Sequence, residues 1–227
     1  MGSANATANQ MAPPQAARGR PVVFVVDDDP SVRESLASLI SAAGWRAQVF
    51  GSAAEFLARP SSRAASCLVL DVTLPDLNGL ELQERIATHR SEMPIIFITG
   101  HGSVPMTVRA MKAGAIEFLT KPFRGEVLLR AIGQALERSS ATLVREAERT
   151  ILRERYALLT PREQQVMELV VRGHLNKVIG TELGITEITV KAHRGRVMEK
   201  MAAESLPDLV NMAAGLGLAA VDPPSGE

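Results

Sequence analysis

The sequence predicts a doubly wound α/β domain on a five-stranded parallel sheet, followed by a helical linker and an all-α helix-turn-helix domain. Three observations predict it. From Pro21 onward, five short apolar runs alternate strictly with five longer amphipathic ones. Three of those runs (22–26, 67–70 and 95–98) are nearly continuous apolar tracts, as strands covered on both faces require. Beyond Leu136 the strand signals stop and helical periodicity takes over. Parallel strands need crossover connections, so strict alternation puts helices on both faces of one sheet.

The elements follow in order. Strand patterns at 22–27, 46–50, 67–71, 94–99 and 115–120 are each followed by a helical pattern, at 31–43, 53–59, 79–89, 104–113 and 126–138. That makes a complete domain over 21–138. The next stretch, to Leu158, is charge-dense, with arginines at 138, 145, 149, 153 and 155 among glutamates. It is expected to form a helical linker over 139–158. Leu136 and Leu143 are seven apart, as are Val144, Ile151 and Leu158. So short a heptad seam favours a solvated connector over a dimerising coiled coil.

Thr160-Pro161-Arg162-Glu163 then opens a helix: Thr160 caps, Pro161 fits the first turn, and Glu163 closes a capping box. That helix stops at Arg172-Gly173. A second, 176–183, is stopped by Gly184, a third runs from Thr186 or Glu187 to about Met201, and a fourth covers 206–216. Two short helices joined by a tight turn outline a helix-turn-helix within 159–218. Residues 1–20, rich in Ala, Asn, Gln and Pro, and 219–227 are expected as disordered tails.

Composition narrows the function. The chain has 227 residues, 46% of them hydrophobic and 22% charged, which excludes a fibrous or wholly disordered protein. Its 25 basic and 25 acidic residues cancel, so any basic surface must be local. One cysteine, Cys67, rules out an internal disulfide framework and is expected to pack as a small apolar residue. Aromatics at 4% argue against stacking grooves. The most apolar stretch, 209–221, is broken by Asn211 and two glycines and is too short for a bilayer. With no signal-peptide core either, a soluble cytoplasmic protein without membrane contact is expected.

Three carboxylates fall at strand ends: Asp27 and Asp28 after the first strand, Asp71 at the end of the third. Open α/β sheets form ligand sites at the carboxyl ends of their strands, where the winding reverses. If the first and third strands are neighbours, the three carboxylates converge and repel unless a cation joins them. Mg²⁺ fits oxygen ligands of this kind. Thr99 ends the fourth strand and offers a hydroxyl; Lys121 follows the fifth and offers a cation. Together these supply what phosphoryl transfer to an aspartate requires. Each alone has a plainer reading. A strand-end Asp serves as a turn or helix cap, Thr99 as strand filler, and Lys121 as a surface charge. Their joint placement favours chemistry.

Val-Val-Asp27-Asp28-Asp29, Leu70-Asp71-Val-Thr-Leu-Pro75-Asp-Leu-Asn-Gly79, Ile98-Thr99-Gly-His-Gly and Thr120-Lys121-Pro122-Phe123 resemble the receiver domain of two-component response regulators, a flavodoxin-like fold. The resemblance implies that Asp71 accepts a phosphoryl group from a sensor histidine kinase. It implies Mg²⁺ as cofactor, held by Asp28, Asp71 and the backbone carbonyl of Thr73, with Asp27 in the acidic pocket. Lys121 and Thr99 would contact the phosphoryl oxygens. Phe118 would be the switch aromatic, although a core Phe suits the sequence equally. Lys121-Pro122 looks like the family's cis bond.

The helical end, Leu159-Thr-Pro-Arg-Glu163, Gly173-His-Leu-Asn176-Lys177 and Thr189-Val190-Lys191-Ala-His193, resembles the LuxR/NarL type of helix-turn-helix. The third helix would then be the recognition helix, with Lys191, Arg194, Arg196 and Lys200 supplying positive charge. Thr189, Lys191, Ala192, His193, Arg194 and Arg196 are the candidate DNA contacts, with Asn176 and Lys177 near the phosphate backbone. His193 caps or packs locally as readily as it contacts DNA. Val190, Val197 and Met201 are assigned to the core. Gly195 departs from relatives that carry a longer side chain there, so no operator preference carries over. The motifs around Gly100–His101, Met106–Gly114 and His193–Met201 fit the FixJ branch.

The expected function is a phosphorylation-controlled transcriptional regulator, not a metabolic enzyme. Phosphorylation would favour a homodimer on DNA, with RNA polymerase as a further partner if the protein activates. The alternative is a Mg²⁺-dependent aspartyl-phosphate phosphatase, but such enzymes set a second acid beside the nucleophile, where this chain has Val72 and Thr73. A flavin carrier fares worse, because the carboxylates would repel its phosphate.

Overall fold

The computed structural model describes residues 20–60, 64–89 and 93–218. The expected tails therefore lie outside the described residues, apart from Arg20. Two compact units divide at Arg145/Glu146.

In the first unit, strands and helices alternate as β1 (Val22–Val26), α1 (Pro30–Ala42), β2 (Arg46–Phe50), α2 (Ala53–Ala58), β3 (Ser66–Asp71), α3 (Gly79–His89), β4 (Ile95–Thr99), α4 (Val104–Lys112) and β5 (Glu117–Thr120). Then comes α5 (Gly125–Ala157). All five strands are parallel, in the order β2-β1-β3-β4-β5. The three central strands are buried at every residue, which explains their unbroken apolar sequence.

Side chains alternate between the two faces, as the strand period of two dictates. Phe24, Leu68, Leu70 and Phe97 pack with Phe56, Leu82 and Ile86 on one side. Val23, Val25, Cys67, Val69, Ile96 and Ile98 pack with Leu36, Ile40, Leu128 and Ile132 on the other. Cys67 is fully buried, and burial pushes its thiol far above the ordinary range, so it behaves as an apolar residue.

The helical patterns expected at 126–138 and 139–158 form one continuous helix. Nothing between Arg138 and Ala157 is a glycine or proline, so no residue stops it. Ser139 joins its buried face, and its hydroxyl accepts the Ser66 amide at 3.1 Å, giving the first residue of β3 a partner. Strand β5 is shorter than its apolar run, beginning at Glu117 rather than Ala115.

The second unit contains α6 (Pro161–Val171), α7 (Asn176–Leu183), α8 (Glu187–Met201) and α9 (Leu206–Gly215). The capping box of Thr160 and Glu163 forms as the sequence predicts. Gly184 ends α7 in the left-handed region at φ 66°, the conformation a glycine C-cap supplies. Val166, Met167, Ile179, Val190, Val197, Met201 and Leu209 make the core. No helix among the described residues is long and apolar enough to cross a membrane.

Candidate functional site

β1 and β3 are hydrogen-bonded neighbours, with Val26 opposite Leu70. Their carboxyl ends therefore bring the acidic residues together: Asp27, Asp28 and Asp71 each offer an oxygen within 4.8 Å of the others. Asp27 and Asp71 are buried, whereas Asp28 faces solvent. Lys121, just past β5, reaches across and donates to Asp27 Oδ2 at 2.6 Å and Asp71 Oδ2 at 2.7 Å.

Burial, the largest influence, pushes Asp27 above the ordinary carboxylate range despite the ammonium beside it. Burial also opposes the charge on Lys121, but its hydrogen bonds to Asp27 and Asp71 outweigh this and hold its pKa up. Lys121 thus pairs with two of the three carboxylates, and the donor atoms that the three carboxylates offer are all oxygens. That set fits a hard divalent ion such as Mg²⁺.

Local backbone geometry fixes each group. Asp27 Oδ1 accepts the Asp29 amide at 3.0 Å, and Asp71 Oδ1 accepts the Thr73 amide at 2.9 Å. Thr99 is fully buried at the end of β4, where its hydroxyl accepts the His101 amide at 3.2 Å. The Lys121 amide donates to the Thr99 carbonyl at 2.7 Å, and the Lys121-Pro122 bond is cis. Phe118 is half-buried on β5, with its ring 6.0 Å from that of Phe97. A Cβ added at Gly102 would lie 3.3 Å from Phe118 Cε1 and 3.4 Å from Thr99 Cγ2, so both residues border one small space.

Two supports escaped the sequence reading. The Arg33 guanidinium in α1 donates to the carbonyls of Asp27 at 2.7 Å and Asp28 at 2.9 Å, bracing the acidic loop from behind. Asp76, in the β3–α3 loop, accepts the amides of Ala53 at 3.2 Å and Ala54 at 2.8 Å, tying that loop to the start of α2. Neither pairing has a local sequence signal, because each joins separate elements.

In the second unit, Val190, Val197 and Met201 of α8 are buried, and Lys191, Ala192 and Arg196 are exposed. Lys177 is exposed in the first turn of α7. Other candidates turn partly inward. Arg194 donates to Asn176 Oδ1 at 2.8 Å, and Thr189 Oγ1 pairs with Thr186 Oγ1 at 2.8 Å. His193 is half-buried, and its Nδ1 has no hydrogen-bond partner among the described residues. Lys200 does not extend the basic face. Its ammonium is drawn onto buried Glu163 at 2.6 Å and onto the Leu158 carbonyl at 3.1 Å. Foremost through that Lys200 hydrogen bond, the Glu163 carboxyl is held down to about 2.

Comparison with known proteins agrees with these two arrangements. Residues 23–133 match the response regulator receiver domain, and residues 157–213 match the bacterial regulatory proteins of the luxR family. Nodulation protein W of Bradyrhizobium diazoefficiens is 52% identical over 201 residues, covering 88% of either chain. Transcriptional regulatory protein FixJ of Azorhizobium caulinodans is 43% identical over 200 residues, covering 88% of this chain and 95% of its own. The solved structure of response regulator StyR, at 47% identity and a TM-score of 0.77, covers 86% of this chain and 99% of its own. The phosphatase alternative finds no support in these matches. A receiver domain joined to a LuxR-type helix-turn-helix, with such relatives along most of its length, makes this chain a response regulator of the FixJ branch of the LuxR/NarL family.

Proposed function

We propose that Asp71 is the phosphoacceptor through which a sensor histidine kinase controls DNA binding by residues 159–218. The bridge from Lys121 to both Asp27 and Asp71, with Asp28 beside them, is the observation that carries this reading. An Asp71 carboxylate oxygen attacks the phosphorus of a phosphohistidine. The P–N bond breaks, and the imidazole leaves with its electron pair and takes up a proton.

Asp28, Asp71 and the backbone carbonyl of Thr73 would hold Mg²⁺, with Asp27 completing the acidic pocket. The ion supplies positive charge against the phosphoryl oxygens. Lys121 adds its ammonium on the same side, and the Thr99 hydroxyl turns from the His101 amide to donate to a phosphoryl oxygen. Phe118, sharing the space at Gly102 with Thr99, follows that movement and alters the surface of the receiver (21–138).

The phosphorylated receiver forms a homodimer, and the linker (139–158) joins it to the DNA-binding domain. There Lys191, Ala192 and Arg196 enter the major groove, while Thr189, His193, Arg194, Asn176 and Lys177 border the backbone. RNA polymerase is a further partner if the regulator activates. Partnership with DNA and a kinase puts the protein in the cytoplasm. Receiver phosphorylation is self-catalysed chemistry that releases no metabolite, so the protein is not a metabolic enzyme.

The test is incubation of the full chain with an acyl phosphate and Mg²⁺. Intact-mass spectrometry should show one added phosphoryl group, with a dimer by light scattering and tighter binding to DNA. Asp71→Asn should show none of these, and normal phosphorylation of that variant would refute the assignment.

A further inference from the structure

Helix α8 turns a patterned face away from its own core. Val190, Val197 and Met201 point inward, and the 3.6-residue period places Ile188, Ala192, Gly195 and Glu199 on the opposite side. All four are exposed. Lys191 and Arg196 lie on the two margins of this strip and are exposed as well. The strip is thus apolar at its N-terminal half and basic at its edges. Ile188 is 82% exposed, more than any other large apolar side chain among the described residues. It takes no part in the core of this unit.

Ile188 contributes nothing to the packing of this core, so the fold alone gives no reason for an apolar side chain there. Its place on the helix says what does cover it. In a helix-turn-helix, the N-terminal residues of the second helix meet base edges in the major groove. Only one base edge there is apolar: the C5 methyl of thymine. Charge complementarity fits the same occupant, since Lys191 and Arg196 would meet the phosphates or acceptors to either side.

We propose that Ile188, together with the Ala192 methyl, is a specificity-determining element that selects thymine through apolar contact with its C5 methyl group. This rests on the reading of α8 as the recognition helix. It adds a residue outside the basic and polar set, and it names the base feature that is read. Gly195 lies on the same strip and carries no side chain that would crowd a base edge approaching Ile188 and Ala192.

The experiment uses the phosphorylated full-length protein and a pool of random duplexes. Bound sequences are enriched, and each thymine of the resulting site is replaced in turn by deoxyuridine, which lacks only the methyl. The expected result is one thymine per half-site whose replacement weakens binding about three- to tenfold. Ile188→Ala, at an exposed site that leaves the fold intact by circular dichroism, should lose most of the preference for thymine over uracil duplexes, with Ala192 retaining the remainder. Lys191→Ala should weaken both while keeping their ratio.

The proposal is overturned if no uracil replacement matters, or if Ile188→Ala keeps the full preference for thymine. It is also overturned if Ile188→Ala binds DNA unchanged but fails to support transcription, for the residue then contacts a protein. If the phosphorylated chain enriches no sequence at all, the recognition-helix reading itself fails and takes the proposal with it.

Discussion

Gly79, the first residue of α3, lies directly against the main chain of Asp71. A Cβ added at Gly79 would stand 2.5 Å from the Asp71 carbonyl oxygen and 3.0 Å from Val72 Cα. Its amide donates to the Val72 carbonyl at 2.9 Å, so α3 starts hard up against the end of β3. Backbone offers no side-chain rotamer to yield. Gly79→Ala should therefore displace the end of β3, lowering stability by about 1–3 kcal/mol in urea denaturation and slowing phosphorylation of Asp71.

The Arg33 guanidinium holds the carbonyls of Asp27 and Asp28 in place and touches neither carboxylate. Its loss should loosen the acidic loop without removing a ligand. Arg33→Ala is expected to weaken Mg²⁺ binding about tenfold by calorimetric titration, as loss of an outer-shell partner typically does. Arg33→Lys, which can still reach one carbonyl, should recover part of the affinity. Full affinity in the alanine variant would show that the loop holds itself.

Glu163 gives the DNA-binding unit a defined acid response. Its carboxyl is depressed from 4.5 to about 2, so the charged form is favoured by folding. A depressed carboxylate stabilises above its unfolded value, and that contribution disappears as pH falls through 4.5 toward 2. Near neutrality, Glu163→Gln should lower stability by about 2 kcal/mol. The gap between variant and wild type should close on acidification, as followed by thermal melts across that range. A gap that does not depend on pH would mean that the Lys200 pairing contributes little.

Gly195 sits inside α8 with no neighbour for an added Cβ. Glycine in a helix interior is less favourable than alanine by about 0.8–1.0 kcal/mol. Gly195→Ala should therefore raise the stability of this unit by roughly that amount in a thermal melt, while changing its DNA affinity. A destabilised variant would show that the glycine is needed by the backbone after all.

Much of this architecture was legible because it is written in local pattern. Unbroken apolar tracts marked β1, β3 and β4, and turn and cap residues marked α6, α7 and α8 of the second unit. The pocket was legible for a related reason. The carboxyl ends of strands are where a doubly wound sheet converges, so strand-end carboxylates predict their own meeting. What escaped depends on side chains reaching across elements. Arg33 to the acidic loop, Asp76 to α2, Ser139 to β3 and Lys200 to Glu163 join residues 5 to 73 positions apart. No periodicity encodes such reach. For Lys200, charge on a helix face suggested a surface role, yet a buried carboxylate nearby took the ammonium instead.

The last turns of α5 belong physically to the second unit. Arg155 donates to the Met201 carbonyl at 3.1 Å, a Cβ added at Gly215 would lie 3.1 Å from Leu152, and Tyr156 packs on the core. Scissors placed at Leu159, where the motif begins in the text of the sequence, would strip the end of α8 of its cap and open a flank of the bundle. A fragment cut at Glu146 keeps both.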